Sequence, residues 1–153
     1  MIKTRPQTPG SPHHYTHRLL LTTCLVAAVG IASRTIHVGS LLWDKYLGDV
    51  VYAAFFYLLL SLAWREGTTT MKALLTTAYV VAIEVFQLTQ IPAHLNRSAN
   101  LFIRLFAYVV LGSAFSWWDL LAYAVGIVGI SLADRLYLRE KANGKEHHAQ
   151  TIA

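Results

Sequence analysis

The sequence predicts an all-α protein, a polytopic transmembrane helix bundle with four spans plus one re-entrant or interfacial helix. Of its 153 residues, 55% are hydrophobic and only 14% are charged, whereas charged residues make up roughly 25% of ordinary soluble domains. The charges also concentrate near the ends of the chain, since nine of them lie in 1–18 and 135–153. The tryptophans lie at the ends of apolar segments, at the depth that indole rings prefer in a bilayer: Trp43, Trp64, Trp117 and Trp118.

The first apolar segment follows a polar N-terminal tail, residues 1–18, which is rich in proline and which we expect to be disordered. The chain is then uncharged over 19–33, and its helix should continue to about Val38 in order to cross roughly 30 Å of hydrocarbon. A cleaved signal peptide is the alternative, although the polar stretch before it is long for one. The single cysteine, Cys24, lies in this segment and is expected to act as a small apolar residue.

Three further apolar segments are candidates for crossing the membrane: 47–64, 73–91 and 120–133. The stretch 101–116 is also apolar but is interrupted by Arg104. The predicted transmembrane domain therefore covers 19–136, and a charged C-terminal tail covers 137–153.

The basic residues help to decide whether 101–116 crosses. With four spans, nine Lys and Arg residues lie on the side of the N-terminus and four on the other side, whereas five spans give a split of five and eight. Lysine and arginine concentrate in cytoplasmic loops, and only four spans place both termini with the larger basic count. We therefore expect four spans with both termini cytoplasmic, and five spans remain the alternative.

Glu84 is the only charged residue deep within the third segment, and it lies close to the expected bilayer midplane. Burying a carboxylate there costs at least about 2.5 kcal/mol, so the side chain must face protein or water. Gln87 follows three residues later and so lies on the same helical face. The pair is interpreted either as a protonated glutamic acid that hydrogen-bonds across the bundle or as part of a functional site.

Other charged residues gather at the opposite end of the predicted bundle from the two termini. Six of them lie at the non-cytoplasmic ends of their segments: Arg34, Asp44, Asp49, Arg97, Arg104 and Asp119. Such a group is either an ion-paired network that holds the bundle closed or a polar pocket for a headgroup. Asp119 is equally suited to stabilise the start of the last helix.

The last segment carries a stripe of small residues at intervals of three or four. After Asp119, the stripe consists of Ala122, Gly126, Gly129 and Ala133. Small residues at this spacing let a neighbouring helix approach closely, so the stripe predicts helix packing rather than a ligand site.

Several sequence signals of enzymes and cofactor sites are absent. The chain has no glycine-rich phosphate loop and no serine nucleophile elbow. The histidines within the apolar region are too isolated to form a zinc site. We therefore expect no metal and no cofactor, and the sequence favours a non-enzymatic role without deciding it.

Five short motifs occur in an order and at intervals typical of one family. They are Gly30-Ile-Ala-Ser-Arg34, Gly48-Asp49, Glu84-Val-Phe-Gln87-Leu88, Leu111-Gly112 and a run from Phe115 to Gly126 that contains Trp117-Trp-Asp119. Over about residues 25–130 the chain resembles domain-of-unknown-function family 2809, small bacterial membrane proteins similar to the VanZ-like group. The resemblance implies a multi-pass protein of the bacterial cytoplasmic (inner) membrane whose biochemistry is unassigned.

The resemblance also selects particular residues. It implies that the important positions are Arg34, Asp49, Glu84, Gln87 and Asp119, together with an arginine before Leu111-Gly112. Both Arg97 and Arg104 are candidates for that arginine. The VanZ-like relatives are associated with lower sensitivity to glycopeptide antibiotics such as teicoplanin.

Three functions are compatible with these observations. The first is binding of an amphipathic lipid or lipid-like ligand, with an anionic headgroup held by Arg34 and by Arg97 or Arg104. The second is an intramembrane enzyme that acts on a lipid-linked substrate with Glu84 as the general acid or base. The third is a proton-coupled transporter, which would have to be a homo-oligomer because four short helices hardly enclose a pore. We expect membrane lipid as the partner, with a homo-oligomer as an open alternative, and no nucleic acid.

Overall fold

The computed structural model describes the backbone of residues 12–36, 38–40, 42–112 and 114–152. Side chains are described within 16–139, apart from the gaps between those ranges and from Arg34, Asp44 and Lys45. All regular secondary structure in these ranges is helical.

Six helices make up the described chain: α1 Pro12–Thr35, α2 Gly48–Ala63, α3 Thr69–Gln87, α4 Ile91–Leu95, α5 Leu101–Phe106 and α6 Trp117–Ile152. A π-helical turn, Leu42–Leu47, leads directly into α2, and a second one, Ala107–Leu111, continues α5. The helices α1, α3 and α6 each contain a stretch long and apolar enough to cross a membrane. The helix α2 is also apolar but has only 16 residues, and the π-helical turn before it lengthens the helical stretch.

The helix α2 lies at the centre of the bundle, because it packs against α1, α3 and α6. The buried core consists of Ala53 on α2, Val80 on α3, and Tyr123 and Ile127 on α6. Large apolar side chains elsewhere on the long helices are exposed, among them Leu25 at 65%. Exposed leucines on helices of this length suit a lipid environment rather than water. The predicted all-α membrane bundle is confirmed.

The direction of α6 relative to α3 decides the number of crossings. At one end, the Thr69 hydroxyl near the start of α3 donates to Asp134 late in α6, at 3.2 Å. At the other end, Tyr123 early in α6 donates to Glu84 late in α3, at 3.0 Å. The two helices are therefore antiparallel, and the segment that joins them leaves and returns at the same end of the bundle. The stretch 101–116 therefore does not run from one end of the bundle to the other, which agrees with the predicted re-entrant or interfacial helix. Three helices are long and apolar enough to cross a membrane, by length and composition, and the choice between four and five spans stays a prediction.

The length of α5 with its π-helical extension agrees with this arrangement. Leu101–Leu111 is a short apolar helix, and 11 residues at 1.5 Å each extend only about 16 Å, roughly half of the hydrocarbon thickness. Its N-terminus is capped by Asn100, whose side chain accepts from the backbone N–H of Phe102 at 2.9 Å. This cap stabilises the start of α5 as a separate helix, so that α5 does not continue α4.

The two ends of the bundle differ in composition. The end that carries Asp49, Glu84, Gln87 and Asp119 is called the polar end below. The opposite end, called the basic end, carries most of the described basic side chains: Arg18, Arg65, Lys72, Arg135 and Arg139.

The ends of α1 and α6 differ from the predicted segment boundaries. The helix α1 begins at Pro12, within the predicted tail 1–18, and α6 continues to Ile152, through the predicted tail 137–153. Residues 1–11, which also belong to the predicted disordered tail, lie outside the described residues. The division of the chain into two tails and a transmembrane domain stays a prediction.

Only the first part of the small-residue stripe on α6 makes a close helix contact. Ala122 and Gly126 are buried, and a Cβ atom added at Gly126 would collide with the backbone carbonyl of Val50 on α2. Gly129 and Ala133 are exposed, and a Cβ atom at Gly129 would meet no atom within 4 Å. The prediction that the whole stripe packs against a neighbour is therefore wrong for its second half, because Gly129 and Ala133 are exposed rather than packed closely against a helix that the structure describes.

We expect Gly126→Ala to destabilise the bundle by about 1–3 kcal/mol, the usual effect of forcing extra atoms into a packed contact. Gly129→Ala is the matched control on the same helix, and it should be neutral or stabilise by up to about 1 kcal/mol because alanine favours helix. Thermal unfolding in detergent, followed by tryptophan fluorescence, measures both. Equal effects of the two substitutions would contradict the close contact with Val50.

We expect single cysteines at positions 66 and 139 to react with a membrane-impermeant maleimide from the same side of the membrane. A cysteine at position 99 should react from the opposite side. All three variants, Glu66→Cys, Ala99→Cys and Arg139→Cys, are made in a Cys24→Ser background, which alone should give no labelling. Labelling of 99 and 139 from the same side would contradict the four-span topology.

Candidate functional site

Glu84 lies at the centre of the polar end and is only 1% exposed. One carboxylate oxygen, Oε1, accepts a hydrogen bond from the Tyr123 hydroxyl at 3.0 Å and lies 3.4 Å from Nε2 of Gln87. The other oxygen, Oε2, accepts from the backbone N–H of Ser116 at 3.3 Å. This carboxyl group therefore ties α3 to both the start of α6 and the segment that precedes it.

Gln87 lies one turn beyond Glu84 on the same face of α3, as the three-residue spacing predicts. Its Nε2 donates to the carbonyl of Leu111 at 2.8 Å. The next residue, Gly112, has a φ of 71°, in the left-handed region that glycine adopts at little cost. A Cβ atom at Gly112 would come within 2.7 Å of the Gln87 amide nitrogen. The position is thus restricted to glycine both by its backbone conformation and by the approach of Gln87.

Two other side chains bind carbonyl groups of the same irregular segment. The Tyr52 hydroxyl on α2 donates to the carbonyl of Val110, and Nδ2 of Asn96 donates to the carbonyl of Gly112 at 2.9 Å. Non-helical backbone at membrane depth is tolerated only where the protein or a water-filled cavity satisfies its polar groups. Together with Gln87, these side chains provide hydrogen-bond donors to the backbone carbonyls where the helix is interrupted before α6.

A cavity of about 130 Å³ lies between α2, α3, α6 and this segment. Its polar lining comes from six residues: Asp49, Tyr52, Gln87, Gly112, Asp119 and Tyr123. Asp49 and Asp119 each lie in the first turn of their helices, where the positive end of the helix dipole stabilises a carboxylate. The cavity is thus lined mainly by polar atoms, and it is large enough for several water molecules or a small polar group.

Two of the lining oxygens are buried and accept no hydrogen bond from any residue that the structure describes. They are Oε1 of Gln87 and Oδ1 of Asp119. Outside the cavity lining, Oδ1 of Asn96 also has no hydrogen-bond partner among the described residues, although Nδ2 of the same side chain donates to Gly112. An unsatisfied buried acceptor destabilises a protein by about 1–3 kcal/mol. A group that donates hydrogen bonds would therefore be stabilised in this cavity.

The structure brings together four of the seven candidate residues named from the sequence. Asp49, Gln87 and Asp119 line the cavity, and Glu84 lies directly behind Gln87 and Tyr123. Their role in binding a ligand stays a prediction.

The three arginines are placed differently. Arg97 and Arg104 are exposed and do not line the cavity. The side chain of Arg34 lies outside the described part of the structure, and so does that of Asp44. An anionic group held by these arginines stays a prediction, and it is not a feature of the described cavity.

Sequence reasoning missed two residues of the site, although a signal for them existed. Tyr52 follows Asp49 by three residues and Tyr123 follows Asp119 by four, so each tyrosine lies on the same helical face as a candidate carboxylate. Their rings lie 5.9 Å apart, and Phe56 packs against Tyr52 at 4.8 Å. Hydropathy counts each tyrosine as part of an apolar segment and gives no weight to its hydroxyl group.

No group of three or more His, Cys, Asp or Glu side chains in the described residues could hold a metal ion. The Glu84 carboxyl group instead finds its partners among hydroxyl, amide and backbone N–H groups. What the site offers chemically is a set of fixed hydrogen-bond acceptors beside apolar helices.

These features define an integral membrane protein: a bundle of membrane-length apolar helices that enclose a buried glutamate and a small polar cavity. The chain belongs to the family described as "Protein of unknown function (DUF2809)", whose model matches residues 38–127, more than half of its length. The matched region includes the cavity residues from Asp49 to Tyr123. No curated protein and no solved structure matches the chain. The family resemblance is confirmed, while likeness to the VanZ group and a bacterial origin stay predictions.

We expect Gly112→Ala to destabilise the bundle more than Gly39→Ala does. Both glycines have φ above 70°, so both substitutions strain the backbone. At Gly112, where ψ is −160°, the backbone lies in a region that essentially only glycine populates, and the strain there is roughly 1–3 kcal/mol. Only Gly112→Ala should also displace Gln87 from Leu111, which adds about 1–3 kcal/mol, because a Cβ atom at Gly39 meets nothing within 4 Å. Thermal unfolding of the two variants in detergent tests this, and equal shifts would contradict the proposed contact with Gln87.

Proposed function

We propose that the protein binds an amphipathic lipid or lipid-like molecule whose headgroup donates hydrogen bonds into the cavity at the polar end. The observation that carries this proposal is a pair of buried acceptors, Gln87 Oε1 and Asp119 Oδ1, to which no described residue donates. A headgroup with hydroxyl or ammonium groups supplies donors to both. Two carboxylates and an amide around one small cavity favour such a group over an anion.

The surroundings of the cavity support an amphipathic rather than a fully polar ligand. Large apolar side chains next to this end of the bundle are exposed, including Leu88 at 60% and Phe102 at 82%. A ligand with its headgroup in the cavity can keep its hydrocarbon chains along these surfaces and in the membrane. Burial of that apolar area contributes to affinity in the same way as insertion into the bilayer does.

The exposed arginines fit this proposal in a secondary role. Arg97 and Arg104 follow α3 in the segment at the polar end, and they are accessible to a phosphate that remains outside the cavity. Arginine is suited to bind phosphate oxygens through two parallel hydrogen bonds. We therefore assign the cavity to the donor groups of the ligand and the arginines to an anionic group, if the ligand has one.

Catalysis and proton transport have less support than binding. Glu84 does not line the cavity, and both of its oxygens already accept hydrogen bonds. A general acid or base must reach the proton that it transfers, so Glu84 would first have to lose Tyr123 or Gln87. The bonding pattern favours Glu84 as the residue that holds the site in shape.

We also propose that the protein lies in the cytoplasmic membrane of a bacterium, with its basic end in the cytoplasm. The basic end carries five described Lys and Arg residues, whereas Arg97 and Arg104 are the described ones near the polar end. This asymmetry agrees with the preference of basic residues for cytoplasmic loops. In this proposed orientation, the headgroup cavity faces the outer leaflet.

We expect Asp119→Leu to abolish retention of a specific lipid, because leucine has a similar shape but no acceptor. Asp119→Asn keeps one acceptor oxygen and should retain part of the binding, with a loss of about tenfold or less, or about 1.4 kcal/mol. The measurement is quantification of lipid per mole of protein by mass spectrometry after purification in mild detergent.

Three control variants make the outcome specific. Glu66→Leu removes an exposed carboxylate at the basic end and should leave lipid retention unchanged. Arg97→Ala and Arg104→Ala should weaken binding less than Asp119→Leu does. Loss of lipid only in the arginine variants would contradict the cavity and favour an anionic headgroup held by arginine, and equal lipid in all variants would contradict the site.

A further inference from the structure

A second and larger cavity lies at the basic end, between α1, α2 and α6, and has a volume of about 370 Å³. Its walls are mainly apolar and include Leu21, Leu58 and Ile130. Polar residues also line it, among them Arg18, Ser61 and Asp134. This cavity is called the basic-end groove below. It shares no residue with the cavity at the polar end.

Ser61 gives the groove a buried polar group without a partner. The residue is 1% exposed, and its hydroxyl oxygen has no hydrogen-bond partner among the residues that the structure describes. Buried hydroxyl groups in proteins are normally hydrogen-bonded. A polar group of a ligand in the groove can form a hydrogen bond with the Ser61 hydroxyl.

Asp134 gives the groove an anchored carboxylate. Its Oδ2 accepts from the Tyr57 hydroxyl at 2.7 Å and from the Thr69 hydroxyl at 3.2 Å. No described side chain donates to Oδ1 at hydrogen-bond distance. The carboxylate is therefore held in one orientation by α2 and α3, while its second oxygen stays available to a donor.

Arg18 supplies the opposite charge on α1, where it is exposed at the start of the apolar part of the helix. An apolar groove that presents one cation and one anion complements a molecule with a hydrocarbon chain, an anionic group and a cationic group. A zwitterionic phospholipid with a primary ammonium has all three, since its phosphate pairs with arginine and its N–H groups donate to a carboxylate. Neither a choline headgroup, which has no N–H, nor a glycerol headgroup, which has no cation, satisfies Asp134 in this way.

We propose that the basic-end groove is a second lipid site, selective for a phospholipid with a primary ammonium headgroup. One acyl chain lies along Leu21, Leu58 and Ile130, the ammonium group binds Asp134, and the phosphate binds Arg18. The site is independent of the function proposed for the polar end, because the two cavities lie at opposite ends of the bundle and use different residues.

The first arm of the test compares headgroups on the delipidated full-length chain. Phosphatidylethanolamine, phosphatidylcholine and phosphatidylglycerol with identical acyl chains are added in detergent, and bound lipid is counted by native mass spectrometry. The ethanolamine lipid should bind about tenfold more tightly than the other two, the usual effect of one charge-assisted hydrogen bond. Repeating the titration in the Asp119→Leu background removes any contribution from the polar end. Equal binding of the three lipids would overturn the proposal.

The second arm uses variants of the groove. Asp134→Asn keeps an oxygen for Tyr57 and Thr69 but removes the charge, so the preference for ethanolamine over choline should disappear. Ala133→Phe introduces a ring at an exposed position that lines the groove, and it should block binding of the ethanolamine lipid.

Leu132→Phe is the matched control, because Leu132 is 53% exposed on the same helix and does not line the groove. It should bind lipid as the wild type does. If Asp134→Asn fails to fold, Ala133→Phe still tests whether the groove binds the lipid. The Ala133→Phe variant leaves the hydrogen bonds from Tyr57 and Thr69 to Asp134 in place. Equal lipid binding by Ala133→Phe and Leu132→Phe would show that the groove is not the site.

Discussion

A carboxyl group within a bilayer needs hydrogen-bond partners from the protein itself, and the architecture of the polar end depends on how Glu84 obtains them. The group is almost fully buried and receives donors from Tyr123 and from the backbone of Ser116. One donor belongs to α6 and the other to the segment before it. Because leaving a buried charge or acceptor unpaired is costly, the position of Glu84 on α3 sets where α6 must begin.

The same constraint explains why the chain can break its helices within the apolar region. At the end of the π-helical turn and just beyond it, Tyr52, Gln87 and Asn96 donate to three successive backbone carbonyls. These three side chains come from α2, α3 and the segment after α4, so the irregular stretch is held by several elements at once. In hydrocarbon, such a stretch is stable only with partners of this kind. The fold therefore concentrates its polar side chains where its backbone is least regular.

The bundle presents fixed hydrogen-bond acceptors at both ends, and this shared feature underlies both proposed lipid sites. At the polar end the acceptors are Gln87 and Asp119 in a small cavity. At the basic end Asp134 is anchored by hydroxyl groups beside a larger apolar groove. The size of each cavity matches a different part of a lipid: a compact headgroup at the polar end, and a headgroup with an attached chain at the basic end. The apolar middle of the bundle separates the two.

The membrane class, the approximate positions of the long helices and the shared face of Glu84 and Gln87 follow from the sequence alone, because hydrophobicity and helical spacing are local properties. The sequence also indicated Asp49 and Asp119 from their places at helix ends. Helix packing was needed to show that 101–116 stays at one end of the bundle, and that Tyr52 and Tyr123 line the cavity while Arg97 and Arg104 do not. Those outcomes depend on which helices are neighbours and on how each is rotated about its axis. A single sequence does not specify either, because long-range contacts between helices leave no fixed spacing along the chain.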